Sequence, residues 1–203
     1  MKKDEILEND IYWDEKLNIR TSVSDYAEED DLNYGYDPTP YLVLEEIIKL
    51  DCLKESDVLV DYGCGKGRLS FFFNNELGCK VIGIDHSRRL LKKAKKNLEN
   101  YGKTSKIEFI HSKAEEYIPP DNANRFYFFN PFSSKIFSKV LKNIEESYDK
   151  NPREILIFFY YSTIEYKLYL QTEPHLELLK GIEFDGKYVA DEGIARLDVF
   201  KFK

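Results

Sequence analysis

The sequence predicts a doubly wound α/β fold, in which a mostly parallel sheet ends in an antiparallel hairpin. Short apolar runs, typical of buried strands, alternate with amphipathic segments of helical period over most of the chain. Two alternating segments near the C-terminus, residues 181–189 and 196–203, flank a turn that contains Gly193 and indicate a hairpin. Strands that alternate with helices, followed by a hairpin, imply a parallel sheet with an antiparallel edge.

Five apolar runs are the predicted strands of the parallel part of the sheet. They cover residues 58–61, 81–85, 107–111, 125–129 and 154–162. Apolar residues at helical spacing predict helices at 41–50, 68–77, 88–101, 136–148 and 165–179. Ser87 and Gly102 stand at the cap positions of the third helix, and Pro174 is expected to break the last one.

The composition indicates one globular domain. The chain has 203 residues, of which 42% are hydrophobic and 15% aromatic, enough for one sizeable core. No apolar run approaches the roughly 18 residues of a membrane span, and no apolar signal core follows the first residues. We therefore expect a cytoplasmic protein. The three cysteines form no C-x-x-C pair, which argues against a zinc site or a disulfide framework.

The net charge of −7 is concentrated at the N-terminus. Residues 1–40 hold 12 acidic and 4 basic residues, whereas the remainder holds 25 acidic and 26 basic residues. This balance argues against a chain built to coat nucleic acid. The nearly neutral remainder excludes no class of substrate.

Residues 1–35 admit three interpretations: a disordered tail, a helical cap over a site, or a segment that sets specificity. Several of their side chains are too apolar for a purely solvated tail, namely Ile11, Tyr12, Trp13, Leu17 and Ile19. We favour a partly ordered lid, followed by the main domain at residues 36–203. The acidic run at 28–31 is expected to be a solvated stretch.

The stretch Val58–Arg68 carries the most informative motif. An apolar strand ends at Asp61, and Gly63, Gly65 and Gly67 follow in alternation before a helix begins. Strand, glycine turn and helix bring backbone N–H groups and a helix N-terminus up to a nucleotide-like ligand. A dinucleotide fingerprint would require a glycine where Arg68 stands, so a nicotinamide enzyme is disfavoured. Glycine-rich turns that merely close ordinary strands are the alternative.

The acid-x-Gly-x-Gly-x-Gly pattern resembles motif I of the class I S-adenosylmethionine-dependent methyltransferases. Asp85 closes the second strand 24 residues after Asp61, where a carboxylate can accept hydrogen bonds from both ribose hydroxyls. The alternative role for Asp85 is to cap the helix that starts at Ser87. The resemblance implies a Rossmann-like fold and a parallel sheet with a C-terminal antiparallel hairpin.

The resemblance also implies S-adenosylmethionine as cofactor and a set of residues around it. These are Tyr36, Thr39, Asp61, Gly63, Cys64, Gly65, Gly67, Asp85, His86, Lys113, Ala114 and Asn130. For Tyr36 and Thr39, a helix start capped by proline is an equally good interpretation. Lys113 stands where many family members place an acid for the adenine amino group, so backbone groups near Ala114, or the side chain of Glu115, are the alternatives.

Asn130, Pro131 and Phe132, at the end of the fourth predicted strand, are the predicted catalytic residues. They partly match the Asp/Asn-Pro-Pro-aromatic motif of methyltransferases that act on nitrogen, although one proline is missing. With Asp-x-Gly-x-Gly-Lys-Gly-Arg, they also resemble an uncharacterised bacterial methyltransferase group with Asn-Pro-Phe signatures. A plain strand-to-helix turn is the alternative.

The resemblance implies methyl transfer from S-adenosylmethionine to a nitrogen acceptor, on a nucleobase or a protein. An O- or carboxyl-methyltransferase and a non-catalytic cofactor-binding module are the alternatives. The acceptor itself is unknown: RNA, protein and small molecules all remain open, and neither a membrane partner nor a metal ion is expected.

One predicted helix carries a basic cluster, formed by Arg88, Arg89, Lys92, Lys93, Lys95 and Lys96. These residues lie opposite the apolar face of that helix. A nucleic-acid patch is one interpretation, and a solvated helix face is the commoner one.

Overall fold

The computed structural model describes residues 3–24, 35–103, 106–130, 132–184 and 195–203. In these ranges the strands are β1 (Val58–Tyr62), β2 (Lys80–Asp85), β3 (Ile107–His111), β4 (Arg125–Phe129), β5 (Leu156–Tyr160), β6 (Leu176–Glu183) and β7 (Arg196–Phe202). The helices are α1 (Lys3–Leu17), α2 (Tyr41–Lys49), α3 (Arg68–Leu77), α4 (Arg88–Tyr101), α5 (Ser134–Lys150) and α6 (Ile164–Thr172). A single 3₁₀ turn, Ala114–Glu116, follows β3.

The described strands form one sheet with the order β3-β2-β1-β4-β5-β7-β6. Strands β1 to β5 are parallel to one another, and β7 is antiparallel to both β5 and β6. The predicted Rossmann-like α/β class, with a C-terminal antiparallel pair, is confirmed. The strand order reverses between β1 and β4, and the carboxyl ends of these strands border the crevice in which open α/β sheets bind ligands.

Both faces of the sheet are covered at β1, β4 and β5, which explains why these strands are continuous runs of mostly apolar residues. In β5, Leu156, Phe158 and Tyr160 point into the core under α1 to α4. Ile157 and Phe159 point into the other core, under α5 and α6. No helix within the described ranges is both long and apolar enough to cross a membrane.

The N-terminal residues pack against the domain through α1, which contacts α2 and α3. The ring of Trp13 stacks on Tyr41 at a centroid distance of 5.7 Å and meets Phe72 edge-on at 4.8 Å. Leu17 and Ile19 are also buried. The acidic run at 28–31 lies outside the described residues, and the role of a lid stays a prediction.

Local signals gave the helix ends next to the glycine turn correctly. Helix α3 has the predicted bounds, and Ser87 caps α4 because its Oγ accepts a hydrogen bond from the N–H of Leu90 at 3.1 Å. Gly102 ends α4 in the left-handed conformation, with φ of 66°.

The predicted helix at 165–179 is wrong in its second half. Helix α6 ends at Thr172, Glu173 is extended, and β6 begins at Leu176, where the prediction had helix up to Leu179. Pro174 cannot continue the helix, and the segment pairs with β7 instead. The first hairpin strand therefore starts before the predicted residue 181. The predicted turn at Gly193 lies outside the described residues.

Candidate active site at the carboxyl ends of β1, β2 and β4

The glycine turn after β1 is fixed by backbone hydrogen bonds. The N–H groups of Gly63 and Cys64 both donate to the carbonyl oxygen of Ile84, at 2.8 and 3.0 Å, and the N–H of Gly67 donates to the carbonyl of Cys64 at 2.8 Å. The φ angles of Gly63, Gly65 and Gly67 are 78°, 53° and 86°. All three lie in the left-handed region that favours glycine. Backbone hydrogen bonds and backbone conformation therefore both contribute to the shape of the turn.

The glycine at position 65 is also required by its neighbour Tyr36. A Cβ atom on Gly65 would lie 2.1 Å from Cδ2 of the Tyr36 ring, so the ring packs directly on the turn. The Tyr36 hydroxyl donates to the carbonyl oxygen of Thr21 at 3.0 Å, and burial raises the pKa of that hydroxyl. Tyr36 thus links the turn to the N-terminal residues.

Asp85 joins the turn to the end of β2. Its Oδ2 accepts from the N–H of Gly65 and its Oδ1 from the N–H of Ser87, each at 2.8 Å. The side chain that caps α4 is that of Ser87. Asp85 instead connects the backbone of Ser87 to the backbone of Gly65 at the centre of the turn. One carboxylate therefore orders both walls of the crevice.

Asp61, at the carboxyl end of β1, is 4% exposed. Within the described residues its carboxyl group has no hydrogen-bond partner, and it lines a cavity rather than a packed core. Burial, and secondly the charge of Asp85, raise the pKa of Asp61 to about 8. A cationic group placed beside this carboxyl would reverse that effect.

Two connected cavities open along the turn. The first has a volume of about 70 Å³ and is lined by Tyr36, Thr39, Asp61 and Cys64, among others. The second has a volume of about 460 Å³ and is lined by residues that include Lys113, Ala114 and Phe132. Three residues line both cavities: Gly63, Asp85 and His86. Of the predicted cofactor residues, Gly65, Gly67 and Asn130 line neither cavity.

Asn130 follows β4 in a strained backbone conformation, with φ of 36°. Its Oδ1 is buried and has no hydrogen-bond partner among the described residues. It stands between Phe129, which lines the first cavity, and Phe132, which lines the second. Pro131 lies outside the described residues. Phe132 is buried with its ring edge-on to Phe128, and its carbonyl oxygen accepts from the Tyr166 hydroxyl.

The comparisons with known proteins concern the domain and its fold. Residues 59–147 match the model of a family described as a methyltransferase domain. The fold is similar to that of an RNA methyltransferase from Salinibacter ruber in complex with S-adenosyl-L-homocysteine, with a TM-score of 0.61 and 19% identity, over 82% of this chain and 92% of that one.

Residues 59–147 therefore match a methyltransferase domain, which supports the class I S-adenosylmethionine-dependent methyltransferase family predicted from the glycine motif.

Two curated relatives resemble shorter parts of this methyltransferase. One is the histone-lysine N-methyltransferase of Dictyostelium discoideum specific for H3 lysine 79, 32% identical over 36% of this chain. The other is a protein-lysine N-methyltransferase of Saccharolobus islandicus, 25% identical over 37% of this chain. The matched segments span 4% and 47% of the length of these two relatives.

Lys113 stands directly before the 3₁₀ turn that follows β3. Lys113 is largely exposed and pairs with Glu116 at 3.3 Å, while its backbone and that of Ala114 begin the turn that lines the second cavity. Which groups hold the adenine stays a prediction.

Several residues that line the first cavity were not predicted as site residues, and Tyr127, Phe129 and Arg68 are among them. Tyr127 and Phe129 line it from β4, and the Tyr127 hydroxyl lies 2.9 Å from Thr39 Oγ1. No sequence signal separates these aromatic residues from ordinary core positions. Arg68 also lines this cavity, and its position beside Gly67 suggested only that a dinucleotide glycine is missing.

Proposed function

We propose that the chain transfers a methyl group from S-adenosylmethionine to a nitrogen atom of a nucleobase or a protein side chain. The observation that carries this proposal is the Oδ1 atom of Asn130, which is a buried hydrogen-bond acceptor without a donor among the described residues. It follows β4 beside the point where the strand order reverses. A buried acceptor without a partner is costly, which suggests that a ligand donor satisfies it.

The two cavities fit the cofactor. Asp61 offers a buried carboxyl to the ammonium group of the methionine part, while the turn at Gly63 leaves room for the backbone to approach. Asp85 lines both cavities, and its carboxylate is a hydrogen-bond acceptor of the kind that ribose hydroxyls require. The second cavity, with Ala114 and Phe132 in its lining, offers space for the adenine.

The cofactor supplies a methyl group already activated by its sulfonium. The protein therefore has to align the acceptor and exclude water, and needs little acid–base chemistry of its own. In this proposal Asn130 Oδ1 accepts a hydrogen bond from the N–H of the group to be methylated. That hydrogen bond orients the lone pair of the nitrogen towards the methyl group of the cofactor. Phe132 remains a predicted contact of the acceptor, although its ring is largely buried against Phe128.

The names of the relatives support a nitrogen atom as the methyl acceptor, but they do not determine whether that atom belongs to a protein or to RNA. Both curated relatives are named as lysine N-methyltransferases, whereas the Salinibacter ruber structure is named as an RNA methyltransferase. A planar base nitrogen and an amine both present an N–H to an amide oxygen. The chemistry of Asn130 is thus compatible with either.

Tritium transfer from labelled cofactor into fractionated cell RNA, protein and small molecules tests the proposal. Once a fraction accepts label, Asn130→Ala should lower kcat by on the order of 100-fold, because a misplacement of about 1 Å costs that much. The affinity for S-adenosylhomocysteine should change little. Asn151→Ala is the matched control, because the Asn151 side chain is exposed and, among the described residues, donates a hydrogen bond to the carbonyl of Asp121 alone.

Two results would overturn the proposal. Label that is released from the product by mild base would indicate a methyl ester and hence a carboxyl acceptor. Wild-type turnover in Asn130→Ala would leave the residue as part of a structural turn. If no fraction accepts label from the wild-type protein, a cofactor-binding module becomes the better description.

A further inference from the structure

Helix α4 concentrates positive charge in an otherwise acidic chain. It carries six basic residues and one acidic residue, whereas the whole chain has a net charge of −7. Arg88, Lys92, Lys95 and Lys96 are exposed and line one groove of about 470 Å³, and we call these four residues the basic face. The buried side of the helix carries Leu90 and Ala94, whereas the side chains of the basic face are exposed.

Three of the four residues of the basic face have no charged partner in the described part of the chain. Lys96 pairs with Glu99 at 2.9 Å, with both side chains exposed. Arg88, Lys92 and Lys95 form no ion pair or hydrogen bond with any residue in the described ranges. An exposed ion pair contributes little and can be exchanged for another partner. The basic face is therefore open to an anionic ligand.

The groove of the basic face reaches the candidate active site through His111. This residue, at the end of β3, lines both that groove and the 460 Å³ cavity. Its Nε2 lies 3.0 Å from the carbonyl oxygen of His86, which lines both cavities of the site. Arg88 follows Asp85 by three residues, so the first turn of α4 borders the same crevice. A ligand on the basic face can thus extend into the site.

From this continuity we propose that the basic face binds the phosphate backbone of an RNA strand whose base enters the site. The inference rests on the proposed function and narrows its acceptor to RNA. Residues 88, 92, 95 and 96 cover about 12 Å of helix at 1.5 Å per residue. A nucleic-acid strand presents a charge at every unit along such a length, whereas a polypeptide would need a run of acidic residues in the same register.

The site also suits a base that has left its stack. Enzymes that modify a base take it out of the helix and read its edge in a pocket, while the backbone remains outside. The basic face would hold that backbone, and the cavity that it borders would take the base. An acidic protein tail could also bind the basic face, but its acidic side chains offer no planar ring for the cavity that the face borders.

Fluorescence anisotropy with a fluorescein-labelled RNA of 20 nucleotides tests the inference without any methyl transfer. The electrostatic part of binding does not depend on sequence, so a generic single strand is sufficient. The test variant is Lys92→Glu/Lys95→Glu, and the control is Lys139→Glu/Lys142→Glu. The control lysines are exposed on α5 with the same spacing, so both variants change the net charge equally.

We expect the α4 variant to weaken RNA binding at least 10-fold at low salt, and the α5 variant to change it less than about 2-fold. The slope of log K against log salt should fall by about 1.4 in the α4 variant, at roughly 0.7 for each lost contact. Circular dichroism should show that both variants keep the fold, since all four side chains are exposed.

Equal weakening in both variants, or none in either, would overturn the inference. Competition by polyglutamate as strong as that by unlabelled RNA would overturn it in favour of an acidic protein partner. Label found only in protein, with no RNA binding, would overturn it while leaving methyl transfer to nitrogen in place. RNA binding that depends on α4 but is accompanied by no transfer would support the surface and count against the proposed function.

Discussion

Arg68 and Asp10 form a buried ion pair that joins the first turn of α3 to α1. The Arg68 Nη1 donates to Asp10 Oδ2 at 2.6 Å, and the two side chains are 3% and 12% exposed. The same guanidinium donates to Thr21 Oγ1 at 2.7 Å and to the carbonyl oxygen of Thr39 at 3.1 Å. The residue directly after the glycine turn thus anchors the N-terminal segment beside the candidate site.

Replacing Arg68 should destabilise the protein more than replacing an exposed basic residue does. In Arg68→Met the carboxylate of Asp10 stays buried without its partner, which typically costs about 3–5 kcal/mol. Urea denaturation would measure the loss in the free energy of unfolding. The control is Lys49→Met, because Lys49 pairs with Glu46 at the surface, and its stability should remain close to that of the wild type. Equal stability of the two variants would show that Arg68 is dispensable for the fold.

The contrast between Arg68 and Gly67 shows which part of the site the sequence could predict. Gly67 follows a short pattern whose conformations are imposed locally, so its role was readable from spacing alone. The partners of Arg68 are distant in the chain: Asp10 lies 58 residues away and Thr21 lies 47 residues away. Nothing in a single sequence pairs such residues, because the pairing depends on how α1 packs.

The C-terminal hairpin shows the same limit from another side. Leu176, Leu178 and Leu179 fit a helix as well as a strand by their spacing, and the choice is made by pairing with β7. Strand β6 is at the edge of the sheet and only Leu176 is buried in it, so burial leaves no alternating pattern. By contrast, β1, β4 and β5 are buried on both faces, and all five parallel strands were predicted from their apolar runs.

Gly65→Ala should destabilise the protein in a way that depends on Tyr36. The new Cβ would meet the Tyr36 ring at 2.1 Å, and the residue would keep a φ of 53°. The clash should add about 1–3 kcal/mol to the backbone strain. In a double-mutant cycle with Tyr36→Ala, the clash disappears and a coupling energy of similar size should appear. Thermal or urea unfolding of the four proteins gives that coupling energy.

Gly102→Ala is the control for this cycle. Gly102 has a φ of 66°, but the nearest heavy atom that a Cβ there would meet among the described residues is the Asn100 carbonyl oxygen, at 3.8 Å. It should therefore show the backbone strain alone and no coupling to Tyr36. A coupling energy near zero for Gly65 would contradict the packing of the Tyr36 ring on the turn.

Asp85→Asn should weaken the binding of S-adenosylhomocysteine and should also loosen the turn. The amide would place an N–H₂ group against the backbone N–H of either Gly65 or Ser87, both of which now donate to the carboxylate. Hydrogen bonds to charged groups contribute roughly 1.5–3 kcal/mol, which corresponds to about 10- to 150-fold in affinity. Isothermal titration calorimetry would measure the dissociation constant.

Ser87→Ala separates the cap from the ligand. It removes the hydrogen bond from Leu90 N–H to Ser87 Oγ and should cost about 0.5–2 kcal/mol of stability. Its affinity for S-adenosylhomocysteine should match that of the wild type. An unchanged dissociation constant in Asp85→Asn would instead restrict Asp85 to a structural role.

Binding of S-adenosylhomocysteine should release a proton from Asp61. Burial and the nearby charge of Asp85 raise the pKa of Asp61 to about 8, so the free protein holds this carboxyl mostly protonated at pH 7. The ammonium group of the ligand favours the ionised form and lowers that pKa. Affinity should therefore rise as the pH increases from about 6 towards 8, by up to 10-fold per unit, and level off above it.

The raised pKa of Asp61 also determines whether the stability of the free protein rises or falls with pH. Between the unfolded value near 3.8 and the folded value of about 8, the native state binds more protons than the unfolded state, so Asp61 lowers stability as the pH rises through this window. The side chain introduced by Asp61→Asn cannot ionise, so this variant should lose the pH dependence of stability that Asp61 causes.

The same variant tests the proton release on binding. Calorimetry of S-adenosylhomocysteine binding at pH 7, in two buffers of different ionisation enthalpy, should show about one proton released by the wild type and about none by Asp61→Asn. Equal proton release by both proteins would place the titrating group elsewhere.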